Sequence, residues 1–322
     1  MTVKPNCPVI AIEEHYWDKE LTSHYQGVEG SRDPEMLKRL YDLGDYRISH
    51  MDATGVDMQV LSHGAPSLQK IGADIAGDLA RKVNDRLGEA CAKHPKRFAA
   101  FAALPTAIPE LAAVELERCV KAGFKGAMIH GLANGEFLDE PKFDPIWATA
   151  ERLGVPIYLH PSVPHPAVAD VYYKKYAQDF PMVIRAAWGF TVETATVAIR
   201  MVLGGVFERH PKMNVILGHF GETLPFLVWR IDQALARPGA KRMDRSFREV
   251  FSSNFYVTTS GNFSNPALLC SMMEMGIDRI LFAIDYPFVD NPDGMNWIPN
   301  MPICHEDKVK LLSGNAKRLL KL

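Results

Sequence analysis

Acids and histidines sit at the ends of apolar runs in this chain, where a buried segment would normally close on something easy to desolvate. Near the start, "VIAIEEH" (9–15) runs four apolar residues into Glu13, Glu14 and His15. "PIYLH" ends on His160, "NVILGH" on His219 and "RILFAID" on Asp285. Burying such groups is costly unless they are paired or bind a metal. Glu13 and His15 are two residues apart, so on an extended strand they share a side while Glu14 faces away. Two carboxylates with two or three imidazoles make a mixed oxygen and nitrogen set suited to Zn2+, Mn2+ or Fe2+, and the absence of thiolates argues for a catalytic rather than a structural site. The competing reading is a polar network that plugs the end of a barrel.

For these residues to meet, the elements carrying them must converge. Eight short apolar or β-branched runs fit strands: 9–15, 57–62, 97–104, 126–130, 156–160, 214–219, 255–259 and 279–285. Between them lie amphipathic stretches that end in Gly or Pro. Eight such alternations in 322 residues predict a single (β/α)8 barrel, of the TIM type, over residues 1–322. An open doubly wound sheet is the alternative, weakened because no G-x-G-x-x-G follows the first strand. Three connections, 16–50, 161–190 and 286–306, are longer than βα loops need, and all follow strand ends on the face where barrel active sites are built.

Composition narrows the function. The net charge is −2 with charges dispersed, which predicts neither a nucleic-acid nor a membrane-surface partner. No apolar run reaches the length of a membrane span and no secretory leader is seen at the start, so the expected location is cytoplasmic. Five scattered cysteines without a C-x-x-C read as reduced thiols.

Together, "AIEEH", "YLHP", "ILGHFGETLPFLVWRID", "SGNFS", "ILFAIDYPF" and "NAKRLLKL" resemble the metal-dependent decarboxylases of the amidohydrolase superfamily, in particular those acting on gamma-resorcylate, 2,3-dihydroxybenzoate and 5-carboxyvanillate. The resemblance runs from about residue 9 to the C-terminus. It implies an amidohydrolase-like barrel with one divalent metal, Zn2+ or Mn2+, held by Glu13, His15, His160 and Asp285, and no organic cofactor. It also implies catalytic roles for Asp285, for His219 and for Glu222 as the partner that orients His219. Arg47 and Arg230 match positions that bind substrate carboxylates. The substrate would be a hydroxylated aromatic acid, lost as CO2 and a phenol, and the assembly a homodimer or homotetramer. A hydrolase of the same superfamily, opening a lactone or amide, is the alternative, and a non-enzymatic metal-binding subunit a third.

Two residue patterns bear on this independently. Strand 4 closes on His130 with Lys125 at its opposite end, so no lysine stands where a bridging group for a second metal would be. Glu13 in place of a second imidazole adds negative charge, which makes a bound cation a weaker generator of hydroxide. Aromatic residues in the long loops, among them Trp188, Phe288, Tyr172, Tyr176 and Trp297, are candidates to wall a flat pocket, with Phe288 and Trp188 the chosen substrate contacts. Where similar sequences read "DYPFE", this chain has Val289 followed by Asp290, so the carboxylate is displaced by one position.

Overall fold

The computed structural model describes residues 4–25 and 30–322. Eight parallel strand positions alternate with helices. They are β1 (Ile10–Tyr16), β2 (Met58–His63), β3 (Phe98–Ala100, resuming at Ala102–Ala103 after Phe101), β4 (Ala127–His130), β5 (Ile157–His160), β6 (Val215–Leu217), β7 (Phe255–Thr258) and β8 (Ile280–Leu281). All eight coincide with the runs expected from sequence, β1 and β2 each running one residue past the expected end. Each pairs in parallel with its neighbour from β1 to β3 and from the second part of β3 to β8. Beyond β8 the chain continues beside β1. There Ile12 donates to Phe282 O at 3.2 Å, Asp285 to Glu13 O at 3.0 Å and His15 to Tyr286 O at 2.6 Å. These bonds join the last strand to the first, as a barrel requires.

Two cores follow from strand alternation. Ile10, Ile12, Val60, Phe101, Ile216 and Leu281 fill the barrel interior. Alternate residues such as Ala11, Leu61, Ile129, Leu159 and Val257 face outward and pack on the helices. Ala316 and Leu320 of the helix Asn315–Leu320 join the interior cluster beside Ile10 and Met58, so this helix stoppers the end where strands begin. The opposite end is left for the polar residues.

The long connections fold on themselves. Residues 16–50 contain the helices Lys19–Thr22 and Pro34–Tyr41 and the start of Asp45–Thr54, with 26–29 outside the described residues. The connection after β5 carries the short turns Pro166–Val168 and Ala169–Tyr173, and the one after β8 the helix Asn291–Trp297.

Candidate metal centre

The pairing of β1 with β2 shifts register between Ala11 and Glu14. Ile10 and Ile12 point into the barrel, so unbroken alternation would send Glu14 in after them and turn Glu13 and His15 outward. The bulge adds one residue and re-phases the strand, so that Glu13 and His15 enter the mouth and Glu14 lies outside. Both ligand candidates are fully buried there.

Glu13, His15, His160 and Asp285 each offer one donor atom, and the four atoms lie within 4.8 Å of one another. His15 Nε2 stands 3.2 Å from Asp285 Oδ1, and His160 Nε2 stands 3.3 Å from Glu13 Oε1. Glu13 Oε1, His15 Nε2 and Asp285 Oδ1 are buried without a hydrogen-bond partner. Three unpaired polar atoms aimed at one point are costly in a folded protein unless a cation satisfies them, and the donor set therefore fits a divalent metal.

The atoms facing away from that point are tied down. Glu13 Oε2 accepts from the hydroxyls of Tyr158 and Ser260 and, at 3.3 Å, from Thr258 Oγ1. A Cβ at position 218 would stand 3.1 Å from the same oxygen, so Gly218 keeps this corner open. His160 Nδ1 donates to Pro161 O at 2.7 Å, which leaves Nε2 as the lone-pair nitrogen. His15 Nδ1 lies 3.3 Å from Ser62 Oγ. Burial pushes His160 well below its ordinary pKa, toward the neutral form that ligates metals, and pushes the Glu13 carboxyl upward. Burial also works upward on Asp285, but the nearby imidazoles of His15 and His219 more than offset it and hold that carboxyl below its usual range.

His219 follows β6 on an unusual backbone. His219, Phe220, Gly221, Glu222 and Thr223 all have positive φ, between 50° and 75°. Left-handed turns cost roughly 1–2 kcal/mol per non-glycine residue, and such strain persists where surrounding structure holds it. The turn brings His219 Nδ1 to 2.6 Å from Glu222 Oε1 and aims Nε2 across 4.0 Å at Asp285 Oδ2. Burial lowers the affinity of His219 for a proton, but the carboxylates of Glu222 and Asp285 outweigh it and raise its pKa well above the ordinary value.

A cavity of about 740 Å3 opens beside these groups, lined by His219, Asp285, Ser260, Trp188, Phe220 and Val289 among others. Its size suits a small aromatic ligand. Trp188 stands at its wall, whereas Phe288 is outside the lining, with its ring centroid 5.7 Å from that of His15. Tyr172 and Tyr176 are exposed, and Trp297 is buried against Phe220 and Phe263. The displaced carboxylate of Asp290 turns outward to pair with Arg39, which leaves the apolar Val289 on the cavity wall.

The two arginines chosen from sequence are not brought to the cavity. Arg47 is fully buried in the helix Asp45–Thr54, and its guanidinium donates to His15 O at 2.6 Å, Asp42 O at 2.9 Å, Arg39 O at 3.2 Å and Gln59 Oε1 at 3.2 Å. With those donors committed to protein acceptors it braces the strand beneath the site rather than meeting a ligand. Arg230 lies on the exposed face of the helix Leu224–Leu235, outside the cavity lining. Sequence reasoning passed over Tyr158, Thr258 and Ser260, whose hydroxyls are too common a residue type to mark. It also set aside His130, whose Nδ1 lies 2.9 Å from His160 Nδ1.

Comparison with known proteins agrees with this architecture. The family model described as Amidohydrolase matches residues 10–322. Gamma-resorcylate decarboxylase of Rhizobium sp. (strain MTP-10005) is 40% identical over 325 residues, covering 97% of this chain and 98% of that protein. A dihydroxybenzoic acid decarboxylase from Polaromonas sp. JS666, solved with bound manganese and the inhibitor 2-nitroresorcinol, superposes with a TM-score of 0.88 at 39% identity, covering 98% of this chain and 97% of that one. For 5-carboxyvanillate decarboxylase from Sphingomonas paucimobilis the TM-score is 0.91 at 31% identity, with 98% and 100% covered. From the first strand of the barrel to its last residue, this chain belongs to the amidohydrolase family.

Proposed function

We propose that the protein is a metal-dependent, non-oxidative carboxy-lyase that removes CO2 from an ortho-hydroxylated benzoate and releases a phenol. The observation that carries this reading is the placement of Asp285. One of its oxygens belongs to the cation-binding cluster, and the other faces His219 on the cavity side. A carboxyl group there can pass a proton to a ring held against the cluster. Similarity to decarboxylases of dihydroxybenzoates at about 40% identity over nearly the whole chain supports the same class.

A divalent cation held by Glu13, His15, His160 and Asp285 would supply positive charge that draws in the phenolate and carboxylate of the substrate. We infer Mn2+ before Zn2+, since a carboxylate-rich set accepts it and the Polaromonas protein contains it. Trp188 flanks the aromatic ring. His219, backed by Glu222, takes the phenolic proton and hands it to the facing oxygen of Asp285, which delivers it to the ring carbon bearing the carboxylate. The carbon–carboxylate bond then breaks, its electron pair returns to the ring, aromaticity is restored and CO2 leaves. Nothing in these steps calls for an organic cofactor.

The protein is further proposed to work as a homo-oligomer in the cytoplasm. Phe226, Trp229, Leu269 and Met273 stand exposed on two helices that pack together, Leu224–Leu235 and Asn265–Met275, an apolar surface of the kind that marks association. Five free cysteines suit a reducing compartment. No helix among the described residues is long and apolar enough to cross a membrane.

Turnover of hydroxybenzoates in D2O tests the reaction. A phenol carrying one deuterium on the carbon that held the carboxylate, with an equivalent of CO2, is the expected outcome. A ring-opened or deacylated product without CO2 would contradict it and point to hydrolysis.

A further inference from the structure

Glu14 sits between two members of the metal cluster yet points away from it, and the reaction proposed above makes no use of it. Its carboxylate is fully buried. Oε1 accepts from the backbone amide of Ile284 at 2.9 Å, and Oε2 accepts from that of Tyr286 at 3.2 Å. The residue bracketed by those two amides is Asp285. Its φ of +76° lies in the left-handed region, where a strand residue breaks the regular ladder and leaves flanking amides without backbone acceptors. The bulge in β1 disrupts the facing strand at the same level. The two interruptions are linked, since the bulge that turns Glu13 and His15 inward is what places Glu14 outside, against residues 284–286.

The clamp is itself supported. Gln59 Nε2 donates to Glu14 Oε2 at 3.3 Å, Gln59 Oε1 accepts from Arg47, and Arg47 reaches on to the carbonyl of His15. All three side chains are fully buried, and every donor aimed at Glu14 is an N–H. A buried carboxylate with no role beyond folding would satisfy scattered groups. This one holds the two amides that fix the backbone of a single cluster residue.

We propose that Glu14 is a positioning residue for the metal centre: it clamps the amides on either side of Asp285 and holds that residue in the left-handed conformation from which its carboxylate reaches the cation and His219. The proposal rests on the reading of Glu13, His15, His160 and Asp285 as a metal site. The buried Arg47 and Gln59 thereby gain a purpose as the support of the clamp.

The test is Mn2+ titration of the metal-stripped full-length protein by calorimetry, for the wild type, Glu14→Gln, Asp285→Gly and the double variant. Glutamine at position 14 keeps the shape but turns an NH2 toward one of the two amides. Glycine at position 285 removes the ligand and any need for the backbone to be held. Glu14→Gln is expected to weaken Mn2+ binding about 10- to 100-fold in the wild-type background, as loss of a supporting partner does. In the Asp285→Gly background it should change affinity by less than about twofold, the sign that both residues act through one interaction. Unchanged Mn2+ affinity in Glu14→Gln, or an equal loss in both backgrounds, would overturn the clamp. Should Glu14→Gln not fold, Glu14→Asp retracts the carboxylate by one methylene and is held to the same two outcomes. A wild-type protein that binds no Mn2+ would overturn the metal reading itself, a failure distinct from that of the clamp.

Discussion

His219 shows how much of this chemistry rests on single side chains. Glu222 holds one ring nitrogen at 2.6 Å and the other looks across the cavity toward Asp285, so the imidazole is oriented at both ends without belonging to the cation cluster. His219→Ala should therefore retain metal at wild-type stoichiometry and lose about 10²- to 10⁴-fold in kcat, the usual worth of a positioned proton-transfer group. Metal analysis beside steady-state kinetics checks both halves, and loss of the metal would make His219 a ligand. At this scale the cluster was legible because Glu13, His15, His160 and Asp285 each close an apolar run, and residue type together with strand-end position marks them. Arg47 was misjudged for the reason the others were found: type and position alone do not say on which side of the backbone a guanidinium ends. Tyr158, Thr258 and Ser260 are far from Glu13 in sequence, and only their convergence on Oε2 reveals what they do.

The strands were readable from their apolar runs, and the structure moves their bounds by only a few residues. Two backbone irregularities were not. The bulge between Ala11 and Glu14 leaves no composition signal, because apolar residues lie on both faces of a buried strand. The left-handed turn at 219–223 is written "HFGET", and only Gly221 among those residues hints at positive φ. Gly221 is the place to test that turn. It has φ of +75°, and a Cβ there would meet Val257 Cγ1 at 2.8 Å and Pro225 Cδ at 3.1 Å. Gly221→Ala should cost on the order of 1–3 kcal/mol, from the conformational penalty and the crowding together. Because the turn aims His219 and Glu222, kcat should fall as well. Urea unfolding and kinetics on the same preparation read both effects, and a variant as stable and active as wild type would mean the turn is free to relax.

Across the whole molecule, the long connections belong to the architecture in ways their length did not convey. Helix Asp45–Thr54, which closes the first of them, carries Arg47 underneath the cluster, and the helix after β8 packs Trp297 against Phe220 of the left-handed turn. The barrel is stoppered at one end by its C-terminal helix and open at the other, which confines chemistry to a single face. Phe226, Trp229, Leu269 and Met273 form an exposed apolar surface that adjoins the cavity, which Phe226 also lines. Trp229→Glu should shift the protein toward monomer in sedimentation, since burying an unpaired carboxylate in an apolar contact is strongly unfavourable. A wild-type protein that is monomeric at micromolar concentration would remove this surface from consideration as an interface.

The measurement that bears most directly on the central claim is stepwise reconstitution of the metal-stripped protein with Mn2+, following CO2 release across mono- and dihydroxybenzoates at each addition. The metal site and the active site are proposed to be the same group of residues. CO2 release from an ortho-hydroxybenzoate should accordingly rise in proportion to bound metal and level off at about one ion per chain, with Asp285→Asn inactive at any metal level. Full turnover before any metal is added, or no CO2 from any benzoate at saturation, would contradict the account.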